Sequence, residues 1–226
     1  MSERLDSMVA ARRRAEMVAR MRALAQGGAA GAAPVPRKPP AERCDLCGTT
    51  VPDDHRHLLH LEERRIECAC EACWALHSGD PEYRPTGMRT IWLEPFDCDA
   101  EMWGRFGIPI GLAFFMRSTV SGGVIAFYPS PAGATESELE LAAWAELVRR
   151  NPVLAEIEAD AEALIVNRLS EPPQYVIAPI DECYRLVGLV KMHWEGISGG
   201  AALERGVPEF FARLRARTLI QVGASS

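Results

Sequence analysis

Two closely spaced pairs of cysteines restrict what this chain can fold into more than any other feature. The first pair lies in Cys44-Asp45-Leu46-Cys47-Gly48 and the second in Cys70-Glu71-Ala72-Cys73, with 22 residues between the pairs. Two cysteines three positions apart can bind one ion when the chain between them forms a tight turn, which a following glycine eases. The spacing of the two pairs is close to that of tetrahedral zinc sites. We therefore predict one metal site whose ligands are Cys44, Cys47, Cys70 and Cys73.

The segment between the two pairs favours the same interpretation. His57–Leu61 and Arg65–Cys68 are short, largely apolar stretches on either side of the polar residues Glu62–Arg64, a pattern typical of a β-hairpin. A hairpin that joins two cysteine turns is the arrangement of a zinc ribbon. Four thiolates form a closed site, and metal binding supplies folding free energy that so short a segment cannot obtain from a core alone. The predicted site is therefore structural, with Zn as the expected metal.

The exact ligand set and the metal remain open at this point. Cys68 precedes Cys70 by two residues, so on a strand both side chains lie on one face and either thiol can serve as a ligand. His55, His57, His60 and His77 are near the cysteines in the sequence, and an imidazole can replace one thiolate, with His57 as the candidate. Rubredoxin-type iron is bound by the same two cysteine turns, and an iron–sulfur cluster uses the same type of ligand, so Fe is the alternative to Zn.

The N-terminal region differs in composition from the rest of the chain. Residues 3–25 have apolar side chains at helical spacing with arginines between them, which predicts an amphipathic helix. Residues 27–40 are rich in Ala, Gly and Pro and are typical of a flexible linker. Residues 80–86 contain two prolines and are expected to form a hinge. These boundaries predict three parts: a helix and linker over 1–43, a metal module over 44–79 and a larger domain over 80–226.

The larger domain is predicted to be α+β, with a mostly antiparallel sheet and about three helices. The expected strands are Ile108–Met116, Val124–Tyr128, Ala163–Leu169 and Tyr175–Pro179. Thr135 and Glu138 have the spacing of a capping box, which predicts a helix from there to Arg150. Asp181 is expected to cap a helix through Trp194, and a last helix is expected over 201–217.

Charge and hydropathy restrict the class of partner. The net charge is −6: residues 1–43 carry nine Lys and Arg against four Asp and Glu, and the remainder carries 16 against 27. An acidic body argues against nucleic acid as a partner, since phosphate neutralisation requires clustered cations. No apolar run approaches the roughly 18 residues of a transmembrane helix, and the N-terminus lacks the apolar block of a secretory signal. We expect a cytoplasmic protein without a transmembrane segment.

One further segment, residues 129–137, invites a functional interpretation. It contains Gly, Ser and Thr ahead of the predicted helix, and free amides at a helix N-terminus can bind an anion. The phosphate-loop spacing is missing, so a strand-to-helix turn is the simpler interpretation. Cys98 and Cys183 are expected to be buried structural cysteines. No catalytic constellation is evident, and we expect a protein that is not an enzyme.

Several short motifs are spread along the chain: Cys44–Gly48, His55–Leu59, Cys68–Cys73, Gly111–Phe115, Tyr128–Ser137, Val166–Arg168 and Cys183–Gly188. With these motifs the chain resembles, over about residues 44–217, a bacterial family of unknown function. The family is found mainly in actinobacteria, and its genes often lie beside those of uptake nickel–iron (NiFe) hydrogenases. The resemblance implies an accessory role in making, assembling or electronically coupling a hydrogenase.

Three functional hypotheses follow. The first is a metal-binding accessory protein without enzymatic activity, with structural zinc and a protein partner such as a hydrogenase subunit or maturation factor. The second is electron transfer through a rubredoxin-like iron centre. The third is an enzyme that binds a small ligand at residues 129–137.

Overall fold

A computed structural model describes residues 41–195 and 200–223, with the side chains of the last helix described as far as residue 218. The predicted amphipathic helix over 3–25 and the linker over 27–40 lie outside these residues. The chain divides after Pro40, and Ala41 onward forms one compact unit. Within that unit the secondary structure is α+β with antiparallel sheets, as predicted.

The first sheet is small and follows the first cysteine pair. It contains β1 (Arg56–His60), β2 (Arg65–Ala69) and β3 (Tyr83–Pro85), in the order β2-β1-β3. The predicted hairpin is thereby confirmed, since β1 and β2 pair antiparallel. Helix α1 (Glu71–His77) follows β2 directly. Strand β3 comes from the stretch expected as a hinge and pairs with β1, so these residues complete the sheet.

The second sheet has six antiparallel strands in the order β4-β9-β8-β5-β6-β7. Strands β5 and β8 are buried along almost their whole length. This explains why their sequences are continuous apolar runs: both faces of the sheet are covered, so alternation with polar residues is not required. The strands are β4 (Ile91–Trp92), β5 (Leu112–Ser118), β6 (Gly123–Ser130), β7 (Gly133–Ser137), β8 (Glu162–Asn167) and β9 (Gln174–Pro179).

Helices cover both faces of this sheet and form two separate cores. On one face α4 (Ile180–His193) and α5 (Ala201–Gly223) pack over alternate residues of the strands, such as Phe114 and Ile165. On the other face the intervening residues of the strands, such as Phe115, pack against two helices and a 3-10 helix. These are α2 (Ala100–Arg105), α3 (Leu141–Arg150) and the 3-10 helix Pro152–Glu156.

The prediction that a helix begins at Thr135 is wrong, because that helix begins at Leu141. Residues 133–137 form β7, which pairs with β6 across a two-residue turn. The Thr135 hydroxyl lies 2.9 Å from the Ser130 hydroxyl, so it joins the two strands and does not cap a helix. Gly133 has φ +122, a value that favours glycine in this turn.

The expected end of the second strand before Pro129 is also wrong, because β6 continues to Ser130. The pairing of β6 with β5 ends at Phe127, so the amide that proline lacks is not required for that pairing.

The other helix boundaries also differ from expectation. Helix α3 starts at Leu141, and Glu140 before it makes no side-chain cap. Helix α4 starts at Ile180, so Asp181 lies inside the first turn and does not cap it. Helix α5 extends to Gly223, although Pro208 lies within it.

The small sheet packs directly on the core of the large one. Leu59 of β1 is 1% exposed and belongs to the same apolar cluster as α4 and α5, with Leu61 and Ile66 packed beside it. Arg64, in the β1–β2 turn, donates a hydrogen bond of 2.7 Å to Glu136 of β7. The cysteine module is therefore held against the larger domain by both apolar and polar contacts.

We expect Phe115→Ala to lower the free energy of unfolding by about 3–5 kcal/mol, because it removes a fully buried ring. Phe115 stacks on Trp144 at 5.5 Å and contacts the Phe106 ring at 5.0 Å. Urea denaturation followed by circular dichroism measures the change. The control is Met192→Ala, since Met192 is 77% exposed; we expect a change within about 0.5 kcal/mol. Equal effects of the two substitutions would contradict the proposed core.

Candidate metal centre

The first cysteine pair lies in a tight turn closed by backbone hydrogen bonds. Gly48 donates to the Cys44 carbonyl and Cys44 donates to the Thr49 carbonyl, both at 2.8 Å. Gly48 has φ +76, which favours glycine and lets the chain reverse directly after Cys47. The Arg43 guanidinium donates to the Gly48 carbonyl at 3.0 Å. The turn therefore directs the side chains of both cysteines from a fixed backbone.

The second pair lies at the start of a helix. Cys70 follows β2 and is the N-cap of α1, and its sulfur accepts a hydrogen bond of 3.5 Å from the Cys73 amide. The first turn of α1 thus provides two thiols on one side. In this respect the module departs from a ribbon with two equivalent turns: its order is turn, hairpin, helix.

Asp45 joins the two halves of the site. Its backbone amide donates to the Cys68 carbonyl at 2.8 Å, and its carboxylate accepts from the Cys68 amide at 2.6 Å. This pair of hydrogen bonds attaches the cysteine turn to the end of β2, two residues before Cys70. The four thiols are therefore placed by hydrogen bonds of the backbone as well as by their own contacts.

The four predicted ligands lie together. The sulfur atoms of Cys44, Cys47, Cys70 and Cys73 all lie within 4.8 Å of one another. Those of Cys47 and Cys70 are 3.7 Å apart, which matches the separation of about 3.8 Å expected of two thiolates around a tetrahedral ion at Zn–S of about 2.3 Å. All seven cysteines of the chain are free thiols. This cluster, here called the four-thiol group, could hold one metal ion, and the geometry suits zinc and iron equally.

Exposure and acidity differ among the four thiols. Cys44 is buried, Cys70 and Cys73 are half-buried and Cys47 is exposed. Hydrogen bonds from Thr49, followed by those from Cys44 and Cys73, lower the pKa of Cys47 to about 6. The hydrogen bond between Cys73 and Cys47, together with burial, raises the pKa of Cys73 to about 12. The group therefore loses its first proton easily and retains others, because each further thiolate adds a like charge that only a cation can neutralise.

Cys68 and His57, the possible alternate ligands, lie in a different group. Their ligand atoms and that of His55 lie within 4.8 Å of one another. The premise that Cys68 and Cys70 share one face of a strand is wrong, because β2 ends at Ala69 and Cys70 begins the helix region. Burial, followed by the charges of Asp45 and Glu42, raises the pKa of Cys68 to about 11.

The remaining histidines and cysteines lie elsewhere. His60 accepts a hydrogen bond of 3.2 Å from the Glu63 amide, and its ring lies 5.1 Å from that of Tyr83. His77 lies 3.5 Å from the Asp80 carboxylate. Cys98 and Cys183 are buried, as expected, and burial raises the pKa of both.

The segment 129–137 does not present a helix N-terminus, so the basis for anion binding there is wrong. It is the β6–β7 hairpin, and the Ser130 hydroxyl is engaged by Gly133, Thr135 and Ala132. A largely apolar cavity of about 620 Å³ lies nearby, between α4, α5 and one end of the sheet. Among the described residues, Pro129 alone of this segment lines it.

The chain belongs to a family of unknown function, DUF5947, whose model matches residues 43–218. The match includes the four-thiol group and both sheets. No curated protein and no solved structure matches the chain. Among the described residues, no helix has the length and apolar character needed to span a bilayer.

Two aspartates that lie beside the four-thiol group and beside His57 were not predicted from the sequence to contribute there. The sequence indicates Asp45 only as part of the first cysteine motif, and Asp181 only as a helix cap. Asp181 instead lies with its carboxylate 3.1 Å from His57 Nδ1. The structure places Cys68 directly opposite His57 in the hairpin. The predicted turn at Glu62–Arg64 would instead pair Leu61 with Arg65 and place Cys68 opposite Leu58, so the sequence did not indicate this pair.

We expect metal-free, reduced protein to be alkylated by iodoacetamide first at Cys47, because this thiol is exposed and its pKa is lowered. The rate should be half-maximal at about pH 6, where half of this thiol is ionised. Peptide mass spectrometry across a pH series spanning this value locates the modified cysteine. Added Zn²⁺ should slow the reaction.

Cys183 is the internal control for this labelling. It is 0% exposed and should remain unmodified while the protein is folded. A Cys47 rate that instead rises around the ordinary thiol value of 9.0 would contradict the described hydrogen bonds.

Proposed function

We propose that this protein is a metal-binding accessory protein without enzymatic activity, in which the four-thiol group holds one structural zinc ion. The observation that carries the proposal is the convergence of four thiols from two separate segments. Cys44 and Cys47 come from a turn, whereas Cys70 and Cys73 come from a helix start that follows after 22 intervening residues. Four protein ligands complete a tetrahedral shell and leave no position for a substrate, which is typical of structural zinc.

The location of the group supports a structural role. The turn that carries Cys44 is closed on itself by an isolated bridge between Arg43 and Thr50, and the hydrogen bonds of Asp45 attach it to the end of β2. Helix α1 has no buried residue among its seven, so it contributes little apolar stabilisation of its own. An ion shared by the turn and the helix would supply the missing stabilisation, because binding free energy adds to folding free energy.

We expect the double variant Cys47→Ser/Cys73→Ser to bind one metal ion fewer per chain than the wild type, because serine replaces two of four thiolates. Native mass spectrometry and elemental analysis of protein purified from its native host measure this difference. The variant should retain most of its far-UV circular dichroism, since the large sheet and α2 to α5 have cores of their own.

The matched control is Cys98→Ala, which removes a buried thiol outside the group. It should keep the full metal content. Equal metal content in the wild type and in the double variant would contradict the proposal. The visible spectrum then identifies the metal: zinc tetrathiolate is colourless, whereas ferric tetrathiolate absorbs, and a coloured protein would favour the electron-transfer hypothesis.

The partner that we propose is a NiFe hydrogenase subunit or maturation factor. Support for this comes from the resemblance to a family encoded beside uptake hydrogenase genes. The ion would then maintain the shape of a module that contacts the partner, and chemistry at the metal is not required.

In an actinobacterial host that encodes both this protein and a NiFe hydrogenase, deletion of the gene for this protein should lower hydrogenase activity. The wild-type gene and the Cys98→Ala gene should restore the activity, whereas the Cys47→Ser/Cys73→Ser gene should not. Hydrogen uptake by whole cells is the measurement, with immunoblots to confirm equal protein levels. Unchanged hydrogen uptake in the deletion strain would contradict the hydrogenase role. The metal site is tested separately, by the metal content of the Cys47→Ser/Cys73→Ser variant.

A further inference from the structure

His55, His57 and Cys68 form a second group of ligand atoms beside the four-thiol group. One ligand atom from each lies within 4.8 Å of the other two. The arrangement follows from the hairpin: His57 of β1 is directly opposite Cys68 of β2, and His55 precedes His57 by two residues. Cross-strand partners and residues two apart share one face of a sheet. The rings of His55 and His57 are correspondingly close, with centroids 4.6 Å apart.

Each imidazole is oriented by an acceptor at its Nδ1 atom. His55 Nδ1 donates a hydrogen bond of 2.8 Å to the Pro52 carbonyl. His57 Nδ1 lies 3.1 Å from a carboxylate oxygen of Asp181. Both acceptors favour a proton on Nδ1, and in a neutral imidazole this leaves the lone pair on Nε2 free to bind an ion. Histidines that bind metals have this same arrangement, with Nδ1–H directed at a carbonyl or carboxylate.

The Nε2 atom of His55 makes no hydrogen bond to the described part of the chain. The His55 side chain is 4% exposed, and its Nε2 is buried without a hydrogen-bond partner among the described residues. A buried polar atom without a partner is unfavourable, because it has lost its hydrogen bonds to water and gained none in return. One oxygen of Asp181, on the far side of His57, is also buried without a partner among those residues. The histidine nitrogen is satisfied directly if the group binds a cation, and the carboxylate gains a nearby positive charge.

We propose that His55, His57 and Cys68 bind a second metal ion, a divalent transition ion of borderline softness such as Zn²⁺ or Co²⁺. Two imidazoles and one thiolate are ligands that such ions prefer. Around a tetrahedral ion, ligand atoms of this kind are about 3.3–3.6 Å apart, so ligand atoms that lie within 4.8 Å of one another need to approach by no more than about 1.5 Å. Three protein ligands leave a fourth position open for water or another exchangeable ligand, unlike the closed four-thiol group.

The charges around Cys68 favour a cation. Asp45, Glu42 and Glu67 are the carboxylates whose charge acts on this thiol, and Asp181 lies behind His57. Their negative potential disfavours a free thiolate but attracts a divalent ion, which in turn stabilises the thiolate that binds it. Because the Asp45 hydrogen bonds connect Cys68 to the four-thiol group, substitutions of the histidines test the second site with the least effect on the first.

Metal stoichiometry of the full chain tests the proposal. Protein stripped by a chelator under reducing conditions is titrated with Zn²⁺ or Co²⁺ and measured by native mass spectrometry. The wild type should bind two ions and His55→Ala/His57→Ala one. The Cys47→Ser/Cys73→Ser variant should retain the second ion, so loss of one site is distinguished from loss of the other. His60→Ala is the matched control on the same strand and should bind two ions.

A second variant keeps the test valid if the histidine variant fails to fold. Asp181→Asn preserves the shape of the side chain but removes the charge behind His57, and it should weaken binding at the second site about 10–100-fold. Cobalt absorption supports the assignment: the wild-type spectrum minus that of the histidine variant should show a band from a single thiolate. The proposal is overturned if the Cys47→Ser/Cys73→Ser variant binds no ion, or if the histidine variant and Asp181→Asn both bind as many ions as the wild type with unchanged affinities.

Discussion

The pairing of β1 with β2 is the interaction on which both ligand groups depend. This hairpin carries the chain from the first cysteine turn to the N-terminus of α1, so it determines the distance between the two halves of the four-thiol group. The same register places His57 opposite Cys68. A slip of one residue would turn one of these two side chains to the opposite face and separate the pair. Strand β1 is protected from such a slip because it lies in the middle of its sheet, with β2 on one side and β3 on the other.

The large sheet and its helices position the small sheet, and each contributes residues to the surroundings of the other. Leu59 of β1 enters the core formed by α4 and α5, which fixes the height of the hairpin over the larger domain. Asp181, in the first turn of α4, contacts His57, so a residue far along the chain contributes to the surroundings of the histidine group. The module therefore functions as part of the compact unit that begins at Ala41, and the histidine group lies at its boundary with the larger domain.

The sequence was sufficient for features governed by local spacing and insufficient for those governed by distant pairing. The first cysteine turn, the hairpin and the strands β5, β6, β8 and β9 follow from periodicity and turn residues, whereas the second cysteine pair begins a helix. The helix predicted at Thr135 fails because local capping signals compete with a partner strand that no local pattern reveals. Strand β3 was overlooked for the same reason, since its three residues become a strand only against β1. The contact of Asp181 with His57 depends on tertiary structure and has no signature in spacing.

The unequal exposure of the four thiols has a kinetic consequence. An ion in the four-thiol group would be enclosed on the side of Cys44, which is 2% exposed, and open to solvent at Cys47. A competing thiol or chelator could therefore approach from one direction and displace Cys47 before any other ligand. Release and uptake of the ion would follow the same order in reverse, beginning and ending at one sulfur atom. The rate of metal exchange would thus depend on the access of solvent to Cys47, and the rest of the fold could remain intact throughout.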